Sequence, residues 1–449
     1  MQIIFHTSAR EIAMKNLLAM LFMASIPYNT AFADDLMEIY QQALQNDPEF
    51  KISDINQSAA GEIKSQSIAQ MLPKVGVSAS STWNRLNNEK QSFLGTGLQH
   101  YLDNLLSVNI TQPVFNWGHW IQLDQSENKI AQAEAQFQAK QQDLMTRTVE
   151  AYFNVLAAQD NLEFIVAEKK AIEKQLEQAK QRFDVGIIAI TDVYEAQAGF
   201  DRAHAAVIEA ENQLDNRKEA LREIIGNNEA NLKKLPEDIP LSPPAPADIA
   251  AWSNTAESNN FSIVAQVNQA EFIRKNIELQ QSKHLPTLDI VAQYRQSDNG
   301  NQFGFRGDNE SVGLQFNLPL YEGGGIVSRT RQAQFEYEAA KEELTKVKRS
   351  VIRGVKDAFR GVLSSIDQVK ALKSNTESGQ LAVEAAEAGL EVGTRTMVDL
   401  LAIQRNLFKA KSDYAQGRYN YLINGVKLKQ AAGSLSDQDL LQINEYLRN

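Results

Sequence analysis

Four stretches of this chain alternate apolar and polar residues with a period of two, the spacing that puts successive side chains on opposite faces of a strand. Val75, Val77, Ala79 and Trp83 oppose Gly76, Ser78, Ser80 and Thr82, and Leu106, Val108, Ile110 and Val114 oppose Ser107, Asn109 and Thr111. Leu288, Ile290, Ala292 and Tyr294 oppose Thr287, Asp289, Gln293 and Arg295, while Val312, Leu314, Phe316, Leu318 and Leu320 oppose Ser311, Gly313, Gln315 and Asn317. The pattern predicts strands over 73–85, 105–116, 286–298 and 310–322, separated within each pair by polar, Asn/Gly-rich loops over 86–104 and 299–309. Each alternating stretch has about the 9 to 11 residues that a tilted strand needs to cross hydrocarbon. A soluble sheet with one face on a core alternates in the same way. The aromatics Phe115, Trp117, Trp120 and Tyr321, where the strands run into helices, suit a membrane interface.

The remaining pattern is helical and very long. No proline occurs from Gly118 to Phe183 or from Ile326 to Leu390, each about 66 residues, or roughly 100 Å of helix. Ile352, Val355, Phe359, Val362, Ile366 and Val369 recur at alternating spacings of 3 and 4, which is a heptad seam. Met145, Tyr152, Val155 and Leu162 form a weaker seam in the other helix. Gly186 and Gly393 suit the left-handed position that ends a helix, and second helices are expected to begin near Thr191-Asp192 and Thr396. Two antiparallel helical hairpins result.

The two sets of elements are copies of each other. Gln112-Pro113-Val114-Phe115-Asn116-Trp117-Gly118 aligns with Leu318-Pro319-Leu320-Tyr321-Glu322-Gly323-Gly324 at a spacing of 206. Ala151-Tyr152 aligns with Ala358-Phe359, Val185-Gly186 with Val392-Gly393, Asp192 with Asp399, Gln197 with Gln404 and Gly226 with Gly433, all at 207. Five prolines (Pro236, Pro240, Pro243, Pro244 and Pro246) forbid a continuous helix between the copies. The organisation read from this is a first repeat over 34–231, a Pro-rich linker over 232–260, a second repeat over 261–434 and a C-terminal segment over 435–449. Neither repeat looks self-sufficient, so the two are expected to interleave.

Composition changes the picture at three points. The net charge of −11 excludes the basic surface that nucleic acid requires. The absence of Cys removes thiol chemistry and Cys-based metal sites. Residues 1–33 read as an export signal, with Lys15, the apolar stretch Leu17 to Ala24 and an Ala31-Phe32-Ala33 cleavage site, and either Met1 or Met14 serves as its start. Export without an apolar helical anchor turns the four strands into membrane candidates. An open sheet has edge N–H and C=O groups that lipid leaves without partners, so four strands need partners from other copies: two copies make eight strands, three make twelve.

Candidate chemistry is sparse. His6, His100, His119, His204 and His284 are scattered without metal-ligand spacing. Gly323-Gly324-Gly325 follows a strand and opens a helix, but no Walker Lys-Ser/Thr follows it, and a strand-to-helix bend accounts for it. Paired carboxylates on the helices are solvated faces. No enzyme, cofactor or metal site is expected.

Phe183-Asp184-Val185-Gly186-Ile187-Ile188-Ala189-Ile190-Thr191-Asp192-Val193, Val392-Gly393-Thr394-Arg395-Thr396-Met397-Val398-Asp399-Leu400 and the words from Ala415 to Asn424 resemble the TolC family of outer-membrane channels, over nearly the whole chain after residue 33. The resemblance implies an α+β membrane protein: a homotrimer with a twelve-stranded barrel in outer-membrane lipid, a periplasmic coiled-coil helical barrel, and an equatorial belt to which the linker and C-terminus contribute. It implies an exit duct for drug efflux or type I protein secretion, recruited by a periplasmic adaptor and an inner-membrane pump of RND or ABC type and opened at its periplasmic tip. By the same resemblance Val185, Gly186, Val392, Gly393 and Thr394 meet the adaptor, Thr191, Asp192, Arg395, Gln175 and Glu387 form gate links, and Asp399 lines the aperture. The chain departs from the family pattern at Leu390, where a latch Tyr is expected, and at Ala402, where a second constricting Asp is expected. A weaker latch and a weaker cation block follow. The competing reading is a structural periplasmic coiled-coil spacer or surface fibre, against which the four membrane-length strands speak.

Overall fold

The computed structural model describes residues 34–92, 95–226, 230–300 and 304–447, so the predicted export signal over 1–33 lies outside the described residues. The elements in chain order are α1 (Leu36–Asn46), α2 (Pro48–Ala69), β1 (Lys74–Ser92), β2 (Gly95–Phe115), α3 (Trp117–Asp184), α4 (Ile190–Ile225), α5 (Ile249–Asn259), α6 (Phe261–Ser282), β3 (Thr287–Asn299), β4 (Arg306–Asn317), α7 (Gly325–Glu391), α8 (Met397–Ala431) and α9 (Asp437–Tyr446).

The strands form one antiparallel sheet in the order β1-β2-β3-β4. The two repeats interleave here, because β2 of the first pairs with β3 of the second. The register separates the two faces level by level. Val75, Ile110, Ala292 and Val312 lie side by side across all four strands, and the neighbouring level is Gly76, Asn109, Gln293 and Ser311. On the polar face Gln293 donates to Asn109 at 2.9 Å, and the hydroxyls of Ser78 and Ser107 are 2.7 Å apart. On the apolar face Val312 is 80% exposed in the protomer and Leu314 72%. A soluble sheet buries that face; here no helix among the described residues covers it.

The strand limits depart from the alternation. β1 and β2 run on through most of 86–104, which polarity alone marks as a loop; Leu86 pairs with Gln99, and Asn87 with Leu98. Two strands that satisfy each other's backbone form a ribbon whatever their side chains, once both faces are in water. Arg306 to Asn309 likewise pair with β3 instead of looping, and Arg306 meets Asp298 at 2.8 Å. β4 stops at Asn317, short of the predicted 322, just before Pro319, which has no N–H for the ladder. Pro113 is accommodated in β2 by a register shift between Pro113 and Phe115.

Helices α3 and α7, of 68 and 67 residues, carry the long Pro-free segments. α3 pairs with α4, α7 with α8, and α3 also packs against α8, which binds the two hairpins together. The predicted seam is buried: Val355, Phe359, Val362 and Ile366 pack with Trp252, Ala256, Leu428 and Ala432. Trp252 belongs to α5, a helix inside the predicted linker; it starts only after the last linker proline, capped by the Asp248 carboxylate.

The largest core lies midway along the helices, where α1, α9 and the linker wrap them. Leu36, Tyr40, Leu144, Tyr152, Phe153, Tyr419 and Leu440 share one buried cluster. Asp34 bridges to Leu232 in parallel, and the Tyr152 hydroxyl donates to the Lys233 carbonyl at 2.9 Å. Helices α1 and α9 thus pack with the linker in one local cluster. Among the described residues no helix is long and apolar enough to cross a membrane.

Candidate gate at the hairpin tips

Both hairpins turn in the same way. Gly186 has φ +76° and Gly393 φ +74°. In the first turn the Ile187 N–H donates to the Arg182 carbonyl at 2.9 Å and the Gly186 N–H to Phe183 at 2.8 Å. In the second, Thr394 donates to Gly389 at 2.8 Å and Gly393 to Leu390 at 3.3 Å. These are paired Schellman closures, which satisfy carbonyls the helix end leaves open and require a residue tolerant of positive φ. Val185 and Val392 beside them are 70% and 75% exposed, and Ile187 is exposed as well, so both tips present apolar side chains to their surroundings.

The return helices start differently. Thr396 caps α8 reciprocally with Asp399: the Asp399 N–H donates to Thr396 Oγ1 at 3.2 Å, while the Asp399 carboxylate accepts from the Thr396 backbone at 3.1 Å and its hydroxyl at 2.9 Å. These Thr396 donors, with Arg395 nearby, hold the Asp399 carboxyl below the usual carboxylate range. α4 begins at Ile190 with no side-chain cap on Ala189, one residue before the expected Thr191-Asp192 start.

The structure places Arg395 against Gly389, where a Cβ would come within 2.8 Å of Arg395 Cγ. Glu387 accepts a hydrogen bond from Gln404 of α8 at 3.3 Å, inside the second hairpin. Among the described residues, no side-chain hydrogen bond or ion pair joins Thr191, Asp192 or Gln175 to Arg395 within one protomer. What links the two hairpins at their tips is apolar. Leu176 and Ala179 of α3, Val193 and Ala196 of α4, and Met397 of α8 form a buried cluster, with Leu390 packed on its edge.

Further from the tips the helices diverge around a cavity of about 580 Å³ between α3, α4 and α8. Glu168 of α3 lines it and Ala402 and Arg405 of α8 lie opposite. Burial pushes the Glu168 carboxyl up, against the opposing pull of Arg405. Neither residue stood out in the sequence, because a Glu or an Arg on a helix this charged reads as part of a solvated face. Among the described residues no group of three or more His, Cys, Asp or Glu is arranged to hold a metal.

The model of the outer membrane efflux protein family matches residues 39–227 and 252–434, the two repeats in turn. The chain is 37% identical to the outer membrane protein TolC of Vibrio cholerae, over 97% of this chain and 99% of that one. It is 27% identical to the alkaline protease secretion protein AprF of Pseudomonas aeruginosa, over 91% and 86%. Its fold matches the crystal structure of the Campylobacter jejuni CmeC outer membrane channel with a TM-score of 0.74, at 17% identity and covering 93% of this chain and 90% of that one.

Proposed function

Because this chain belongs to the outer membrane efflux protein family, we propose that it works as a trimer, its sheets joined edge to edge into one twelve-stranded barrel and its hairpins into one periplasmic tunnel. The protein is an outer-membrane exit duct for efflux and type I secretion. The observation that supports closure with other copies is the open sheet; the number three is carried over from the family. β1 and β4 are edges, each with one free side, on a sheet whose apolar face is bare. Hydrocarbon accepts the apolar face but tolerates neither edge, and closure with other copies removes both edges at once.

The tunnel performs no bond chemistry; it needs a wall and a gate. In this reading the tips of the six hairpins converge at the periplasmic end, and Asp399 repeats around the axis to repel anions and attract cations. Thr191, Asp192, Gln175, Glu387 and Arg395 act between neighbouring hairpins in the assembly. Val185, Gly186, Val392, Gly393 and Thr394 are offered to a periplasmic adaptor, which couples the duct to an inner-membrane pump of RND or ABC type. The apolar packing of Leu390 supports a gate held by contact area more than by polar latches.

Fractionated cells and purified protein test the assembly. The chain is expected to sediment with outer membranes on a sucrose gradient and, once purified, to crosslink as a trimer and conduct ions in planar bilayers. Fractionation with soluble periplasmic protein, with no conductance, would instead identify a coiled-coil spacer.

A further inference from the structure

The cavity between the hairpins holds charges that the gate described above does not use. Six ionisable groups line it: Glu168 of α3, Glu195 and Arg202 of α4, and Arg405, Lys409 and Asp413 of α8. Lys409 is 3.2 Å from Asp413 along α8. Glu168 and Arg405 face each other from different hairpins but do not close to an ion pair, and no side chain among the described residues hydrogen bonds to Glu168. Around them the wall is apolar, with Phe164 and Ile172 from α3 and Leu401 and Phe408 from α8. Two other ionisable groups border the region: Lys169 lies over the Phe200 ring, and exposed His204 stacks on that same ring.

We propose that Glu168 is a further gate residue, a proton-sensitive wedge between the two hairpins of each protomer that tightens the duct when it is neutral and loosens it when it is charged. The sign follows from solvation. While the hairpins are packed, a charged Glu168 loses water and gains no hydrogen bond in return, so the packed arrangement takes up a proton more readily than one in which α8 has swung aside and water reaches the carboxyl. By linkage, acid favours the packed, closed arrangement and neutral pH favours the hydrated, open one. Arg405 sets where the change falls, since a cation across the cavity stabilises the ionised carboxylate. Glu195 and Arg202 on α4, and Lys409 and Asp413 on α8, bring one charge of each sign per helix, so they leave the balance to Glu168 and Arg405. Asp399 does not compete in the same pH range, because its capping bonds keep it ionised to lower pH.

This inference rests on the duct reading, and conductance of the full-length trimer in planar bilayers separates the two. The wild-type channel is expected to lose conductance as pH falls from neutral into the acid range. Glu168→Gln, a neutral side chain of nearly the same shape, is expected to show the low acid-range conductance already at neutral pH, with a flat profile. Arg405→Gln is expected to move the wild-type transition to higher pH, which a purely structural role for Arg405 would not do. His204→Gln should leave the profile in place. Heat-resistant trimers on gels establish that each variant is assembled. A conducting wild type whose profile Glu168→Gln reproduces overturns the wedge and leaves the duct standing, as does an Arg405→Gln transition that stays put or moves to lower pH. A wild type that never conducts overturns both.

Discussion

Arg147 closes a two-pronged ion pair on Asp47, with Nη1 2.9 Å from Oδ2 and Nη2 3.1 Å from Oδ1, tying the bend between α1 and α2 to the middle of α3. Asp47 ends α1 and begins α2, its carboxylate also accepting the Phe50 N–H at 2.7 Å, and it is 2% exposed. Burial alone would raise its pKa, but Arg147 and the Phe50 N–H prevail and hold the carboxyl below the usual range. Asp47→Ala is expected to destabilise the protein by about 3 kcal/mol, the cost of leaving a partly buried charge without its partner. Because the folded carboxyl titrates below its unfolded value of about 3.9, its contribution is complete above that pH and disappears as pH falls through the lower, folded value. Urea unfolding of the purified protein between pH 7 and pH 3 checks this, and an identical acid dependence in Asp47→Asn would refute it.

The two faces of β4 should respond oppositely to charge. Leu314 stands in the apolar level beside Ile290, and Gln315 follows it on the polar face beside Asp289. Leu314→Lys should weaken barrel insertion by about 2–4 kcal/mol, the cost of a cation near the hydrocarbon midplane, while Gln315→Lys is tolerated. The heat-modifiable fraction recovered from outer membranes reports the difference. Equal recovery would place the sheet in water.

At the tips, Gly186→Ala meets no atom within 4 Å, so space does not limit it; the positive φ of +76° does. The strain is about 1–2 kcal/mol, concentrated in one turn. Hydrogen exchange should quicken at Phe183 to Ile188 and stay unchanged in the equatorial core. Faster exchange across the core as well would mean that the turn is not an independent unit.

Arg395 has a steric handle as well as a charge. Gly389→Ala drives a Cβ to 2.8 Å from Arg395 Cγ and should raise single-channel conductance in the same direction as Arg395→Ser. Gly379→Ala, whose nearest neighbour is Leu407 Cδ1 at an ordinary 3.4 Å, is the control and should instead gain about 0.5–1 kcal/mol of helix stability. Unchanged conductance in Arg395→Ser removes Arg395 from the gate.

Much of the architecture is legible in the chain because its signals are local and periodic. Val312 to Phe316 announce a strand with one apolar face, the seam from Val355 to Val369 announces a helix with a partner, and Gly186 and Gly393 mark where each hairpin turns. Legibility failed where backbone pairing overrode side-chain character, as in Leu86 with Gln99, and where a helix followed a proline cluster, as at Trp252. At the hairpin tips the residues were visible as words, but Leu390 could only be read as a missing Tyr, whereas its packing beside Met397 gives it an apolar contact.

The order of apolar and polar residues, by itself, determined the element types, the duplication, the apolar sheet face and the need for partners, because each follows from the period of one segment or from the unmet hydrogen bonds of an open edge. The tertiary structure alone decided that β2 and β3 join the two repeats, that Asp47 finds Arg147, and that Glu168 and Arg405 share a cavity. Those are meetings of residues distant along the chain, set by how the hairpins pack, and no local pattern encodes the packing angle that brings one charge opposite another.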